Sequence, residues 1–253
     1  MVIYSHSRLS AFEQCKLKFK FRYVDKLQPE IESTIEGFLG GIVHEALEWL
    51  YNQVLKNSIP TIENLIEFYA ISWNKQYTSE IKIVNNECTP EFYFDKGIKF
   101  LIDYYIKNQP FSDNTIAIEH QITIDIDGSG KYQLQGFIDR LVHNKETNIF
   151  EIHDYKTGAM KTQEDLDNDR QLALYSLGIR KLFPEAKDIH LIWHYLDFNE
   201  KRQSQRTLEQ LEKLKQEIIQ LIDKIESETE FSASPSILCN WCEFRKYCEF
   251  KQN

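Results

Sequence analysis

Residues 133–158 read QLQGFIDRLVHNKETNIFEIHDYKTG, and the rhythm of this stretch decides the fold. Gln133 to Val142 and Ile149 to Tyr155 read as two strands, with side chains passing alternately to either face. Asn144 to Asn148 between them has the composition of a turn, so the two strands form a hairpin. Upstream, Ile116, Ile118, Ile122, Ile124 and Ile126 recur with period two and mark another strand, which Asp127-Gly128-Ser129-Gly130 turns back on the first. Downstream, Asp169 to Phe183 reads as a helix that stops before Pro184, and Ile189 to Phe198 as a further strand.

Helical periodicity surrounds this block. A helix is expected near Ser5 to Gln14, while Lys16 to Tyr23 alternates Lys and Arg with Leu17, Phe19, Phe21 and Tyr23 and suits either a strand or a helical extension. Gly40 and Gly41 precede a helical run through Ile42, Leu47, Leu50, Val54 and Leu55. Thr61 and Thr89-Pro90 signal two more helix starts, because Thr caps and Pro fits the first turn. Residues 61–108 therefore read as a helical insert. Leu208, Leu211, Leu214, Ile218, Ile222 and Ile225 trace the apolar stripe of a long amphipathic helix. The core order is helix, three antiparallel strands, helix, strand: an α/β fold with residues 115–198 as core sheet and helix. No repeat or low-complexity linker interrupts it, so residues 1–253 are expected to form a single domain.

The 253 residues are 42% hydrophobic with only 9 Gly and 6 Pro, which excludes disordered and fibrous classes. Apolar runs are too short to span a bilayer, and the N-terminal stretch lacks the basic-then-apolar order of a signal peptide. A cytoplasmic protein without membrane association is expected. The net charge of -9 argues against a non-specific nucleic-acid binder.

Asp154 and Lys156 lie two apart on one strand and so leave the same face, and Asp139 closes Gly136-Phe137-Ile138-Asp139 at a corresponding level of the neighbouring strand. Two carboxylates so close repel, and a divalent cation reverses that effect; hard oxygens suit Mg²⁺ or Mn²⁺. A lysine beside them completes the parts for metal-assisted phosphodiester hydrolysis. A lone Asp-x-Lys usually means a surface ion pair of small energy. Here it has company: Gln171 and Tyr175 share a helix face, and His44 follows Gly41 by three residues.

In chain order, Gly40-x3-His44, Gly136-x2-Asp139, Asp154-Tyr155-Lys156-Thr157-Gly158 and Gln171-x3-Tyr175 resemble the PD-(D/E)XK nuclease superfamily, in particular its RecB-like exonuclease branch, with a restriction-endonuclease-like core. The resemblance implies that His44, Asp139, Asp154 and the backbone carbonyl of Tyr155 hold the metal. It makes Lys156 the catalytic lysine, with Gln171 and Tyr175 positioning the substrate or the lysine. Glu119 matches an acidic residue often present on the first strand and ranks below these.

Cys239-x2-Cys242-x5-Cys248 is a tight cluster, with Cys15 at the other end of the chain; such thiolates suit zinc or an iron-sulfur cluster, and spacing does not choose. RecB-like exonucleases of recombination complexes and CRISPR adaptation carry one cysteine before the core and three after it on a [4Fe-4S] cluster. The resemblance therefore implies a terminal iron-sulfur lobe from residues 1–26 and 231–253. Cys88 fits no such position and reads as a partly buried thiol. The lobe has nine Lys or Arg against four acids, unlike the rest of the chain, and its aromatics suit contact with a DNA strand. The function implied is a metal-dependent DNA exonuclease acting on ends or single strands in recombination, repair or defence. The alternatives are a non-catalytic DNA-binding subunit for a helicase or integrase partner, and a structure-specific endonuclease.

Overall fold

A computed structural model describes residues 2–31, 33–83 and 87–250. Residue 1 and residues 251–253 of the expected lobe, and 84–86 of the expected insert, lie outside the described residues. The chain divides into two compact units: Met1–Glu32 with Thr123–Gly136 and Leu208–Asn253, and Ser33–Ile122 with Phe137–Thr207.

In the first unit, strand β1 (Ile3–Tyr4) runs parallel to Gln133 and Leu134 at the start of β3 (Gln133–Asn144). Ser5 caps helix α1 (His6–Gln14) by accepting the Arg8 N–H, and α2 (Lys16–Phe19) continues as a π-helical turn over Lys20–Val24. The alternating stretch is thus helical. Phe19 is buried edge-on to Phe12 and stacked on Phe231, and the Arg8 guanidinium covers the rings of Tyr4 and Tyr23. The amphipathic helix α8 (Leu208–Ser227) buries Leu211, Leu214, Ile218, Ile222 and Ile225, as the stripe predicts. The basic strip is charge-compensated instead of bare. Lys18 and Arg22 both meet Glu243, at 3.2 and 2.5 Å, and Lys20 meets Asp25 at 3.3 Å.

The second unit holds α3 (Ile35–Leu55), α4 (Ile62–Gln76) and α5 (Pro90–Asn108), capped by Thr34, Thr61 and Thr89. Gly40 and Gly41 lie inside α3 and do not precede it, because Thr34 accepts the Gly37 N–H and starts the helix at Ile35, ahead of both glycines. The three helices share a core with Leu39, Leu47, Tyr51, Leu65, Tyr69 and Phe100, and Cys88 packs against it as a partly buried thiol.

Strand β2 (Thr115–Asp125) pairs with β3, and β3 pairs antiparallel with β4 (Ile149–Lys156) from Arg140–His153 to Asn144–Ile149. β4 runs parallel to β5 (Asp188–Tyr195), which is antiparallel to β6 (Glu200–Ser204). Helices α6 (Gln163–Asp167) and α7 (Arg170–Leu182) fill the crossover, and α7 packs on β4 and β5. The helix, three strands, helix and strand appear in the expected order. Two details differ. β5 stops at Tyr195, since Leu196–Phe198 form a 3₁₀ turn and Asn199 takes φ +48°. In β2 the buried parity changes: Thr115 is buried and Ile116 exposed before Glu119, whereas Ile122 and Ile124 are buried after it. Glu119 has φ +45°, and this strained residue is the point where the strand changes face.

Gly97 of α5 is required by packing. A Cβ there would lie 2.1 Å from Tyr69 Oη and 2.8 Å from Leu39 Cδ1. Gly97→Ala should therefore destabilise the protein by about 1–3 kcal/mol despite the better helix propensity of Ala, measured by urea denaturation.

Candidate metal and hydrolytic site

The second unit brings the predicted residues to one end of its strands. The β3–β4 ladder ends at Arg140 and His153. Asp139 and Asp154 stand one residue beyond, where the Tyr155 N–H donates to Asp139 Oδ2 at 2.9 Å. His44 reaches over from α3: its Nε2–H donates to the Tyr155 carbonyl at 2.7 Å, and its Nδ1 faces Asp139 Oδ2 at 3.4 Å. Asp154 and Lys156 share a face of β4, with Nζ 3.0 and 2.8 Å from the two carboxylate oxygens. Lys156 Nζ also donates to Gln171 Oε1 at 3.2 Å, and Gln171 in turn bonds the Tyr175 hydroxyl one helical turn along α7.

Among the described residues, the ligand atoms of His44, Glu119 and Asp139 lie within 4.8 Å of one another. Asp154 falls outside this group, its carboxylate taken by Lys156. Glu119, ranked below the others in the sequence, falls inside it. The change of strand parity at φ +45° is what delivers it, and no sequence pattern signals that backbone. These three residues line an open cleft of about 480 Å³ with Gly37, Gly40, Gly41 and Thr157.

Burial acts on every acid here. It pushes Asp139 up to about 6, helped by the Asp154 charge and opposed by His44, the Tyr155 N–H and Lys156. Asp154 is also raised by burial, against the pull of Lys156. Glu119 is raised by burial and then by Asp139 and Glu48. Burial alone would lower Lys156, but Asp154, Asp139 and Asp169 outweigh it and hold the ammonium protonated. One lysine thus faces several carboxylates. Asp154 Oδ2 is buried without a hydrogen-bond donor in good geometry, the His44 nitrogen facing Asp139 is an acceptor or a second cation, and hard oxygens dominate. The residues fit a divalent cation.

In the first unit, Cys15, Cys239, Cys242 and Cys248 are free and line one cavity with Phe21 and Phe244. The Ser234 and Ser236 N–H groups donate to the Cys15 and Cys239 sulfurs at 3.5 and 3.3 Å. Among the described residues, no three cysteine sulfurs lie within 4.8 Å of one another.

The sequence matches the model of the PD-(D/E)XK nuclease superfamily over residues 3–249, so the chain belongs to that superfamily. A crystal structure from Eubacterium rectale, described as a "putative exonuclease", is similar in fold: TM-score 0.53 at 12% identity, covering 99% of this chain and 90% of that one. The crystal structure of SSO0001 matches at 16% identity and TM-score 0.41, covering 85% of this chain and 86% of its own. No curated protein matches in sequence. Among the described residues no helix is long and apolar enough to cross a membrane.

Because Asp139 holds its proton more tightly folded than unfolded, it stabilises the metal-free fold only at low pH and loses that contribution as pH rises from about 4 through 6. Asp139→Asn should therefore raise the metal-free melting temperature at pH 7.5. The same substitution should erase the stabilisation that Mn²⁺ gives the wild type, an increment that itself grows from pH 5.5 to 7.5. Thermal melts with and without Mn²⁺ check both signs.

Proposed function

We propose that this member of the superfamily is a Mg²⁺- or Mn²⁺-dependent DNA exonuclease of the RecB-like branch, working on ends or single strands in recombination, repair or defence. The observation that carries the reading is the group His44, Glu119 and Asp139 beside the Asp154–Lys156 pair. His44, Asp139, Asp154 and the Tyr155 carbonyl would hold the cation, with Glu119 added to the set. When bound, the cation lowers the pKa of water and withdraws charge from the scissile phosphate.

The chain's own groups do the rest. Lys156 carries a fixed positive charge that opposes the charge gathering on the phosphate oxygens, and Asp154 and Gln171 aim it. Tyr175, bonded to Gln171, holds that amide in its rotamer. The open cleft over Gly37, Gly40 and Gly41 leaves room for a polymer backbone beside His44.

A [4Fe-4S] cluster on Cys15, Cys239, Cys242 and Cys248 belongs to the same reading. Zinc on the same thiolates is the alternative. The cluster's role would be structural: it would tie the two ends of the chain together, and closing a loop of that length stabilises on the order of 5 kcal/mol by the chain-entropy account.

Lys156→Ala and Asp154→Ala should each lower cleavage of end-labelled DNA, with Mg²⁺ or Mn²⁺, by about a hundredfold or more. Circular DNA should survive the wild type. Activity retained in both variants would overturn the site, and nicked circles would make the enzyme an endonuclease.

The metal lobe has its own test. Anaerobically purified protein should be coloured and hold about four irons per chain, and Cys242→Ala should be colourless with a lower melting temperature. A colourless wild type holding one zinc would overturn the cluster.

A further inference from the structure

Tyr155 occupies two environments at once. Its N–H and carbonyl serve Asp139 and His44, while its ring, edge-on to His44 at 5.8 Å, is buried among α3 and α5 on the face of β4 opposite Asp154 and Lys156. There its hydroxyl accepts from Arg140 Nε at 3.1 Å and lies 3.1 Å from the Tyr104 hydroxyl, which meets Tyr51 Oη at 2.7 Å. Arg140, next to Asp139 in the chain, is 1% exposed. It is held by Asp113, by Thr115 Oγ1 at 3.1 Å, by His153 Nδ1 at 2.8 Å and over the Tyr51 ring at 4.3 Å. Arg140 can only donate, so His153 Nδ1 is an acceptor and its Nε2–H is free to donate to Glu151 at 2.9 Å. The guanidinium is therefore fixed from several sides.

The location of this bond is informative. Backbone pairing of β3 with β4 stops at Arg140–His153, and the two carboxylates lie just past it, where no ladder bond fixes the strand separation. The Arg140–Tyr155 bond crosses between the strands at that level, on the face opposite Asp154 and Lys156. We propose that it replaces the missing rung, so that the side chains of Arg140 and Tyr155 are positioning residues that set the spacing of Asp139, Asp154, His44 and the Tyr155 carbonyl for the cation. This inference rests on the metal-site reading above and adds two side chains to it that touch neither metal nor substrate.

The test is calorimetric titration of Mn²⁺ into metal-free full-length protein, without DNA, beside thermal melts. Tyr155→Phe keeps the ring and removes only the hydroxyl; it should weaken Mn²⁺ binding about 10- to 100-fold, the usual effect of losing a group that orients ligands. Tyr104→Phe takes hydroxyl bonds from the same buried network but spares the Arg140–Tyr155 bond, so it should lower the melting temperature while leaving the Mn²⁺ affinity within about twofold. Wild-type affinity in Tyr155→Phe, or an equal loss in Tyr104→Phe, would overturn the tie and leave a network that merely stabilises the core. Failure of the underlying metal reading looks different: the wild type would take up no Mn²⁺, or Asp139→Asn would bind it equally well.

Discussion

Asp139 and Asp154 stand on adjacent strands, Asp154 buried and Asp139 half-buried at the edge of the open cleft, with Lys156 the ammonium beside Asp154. Charge placed so deep is tolerated only where opposite charge or hydrogen-bond donors surround it. The second unit supplies these from several elements: His44 from α3, the Tyr155 N–H and Lys156 from β4, and Gln171 behind Lys156 from α7. Each element carries its donor to one point because β4 is central, paired with β3 on one side and β5 on the other. The donors still fall short. Asp139 remains raised and Asp154 keeps an oxygen without a well-placed hydrogen bond, a deficit that the proposed cation would meet.

Much of this was legible because it is local. The turn residues Asn144 to Asn148 and the two-residue spacing of Asp154 and Lys156 fix a hairpin and a shared face whatever lies elsewhere. Glu119 was legible only as a lower-ranked acid of the first strand, since its place depends on its own φ of +45°, and the row of isoleucines gives no hint that the strand changes face there. β6 was missed for a related reason. Its residues, EKRQS, have no apolar face, and it is a strand only because β5 offers backbone partners, as suits a charged edge. The start of α3 was displaced because glycines read as breakers, while Thr34 supplies a cap and Leu39, Ile42 and Val43 supply burial that outweighs their cost. The basic excess of the terminal residues says nothing of pairing: Lys18 and Arg22 both meet Glu243.

The departures from local rules collect in one place. Two adjacent glycines sit inside α3, at a cost of about 1 kcal/mol each against alanine. Glu119 adopts a backbone that side chains avoid, Asp139 and Asp154 are raised by burial, and β3 and β4 stop pairing at the level of both. The two glycines differ: a Cβ at Gly40 would press on Thr157 Oγ1 at 3.1 Å, whereas one at Gly41 would meet nothing within 4 Å, so packing does not demand glycine at Gly41. Strain and unbalanced charge without a packing gain are what a binding site leaves behind when its ligand is the compensating partner. The proposed cation would offset the acidic burial and give Glu119 a reason for its turn, and a substrate backbone laid on α3 at Gly41 would account for the glycine that packing leaves unexplained.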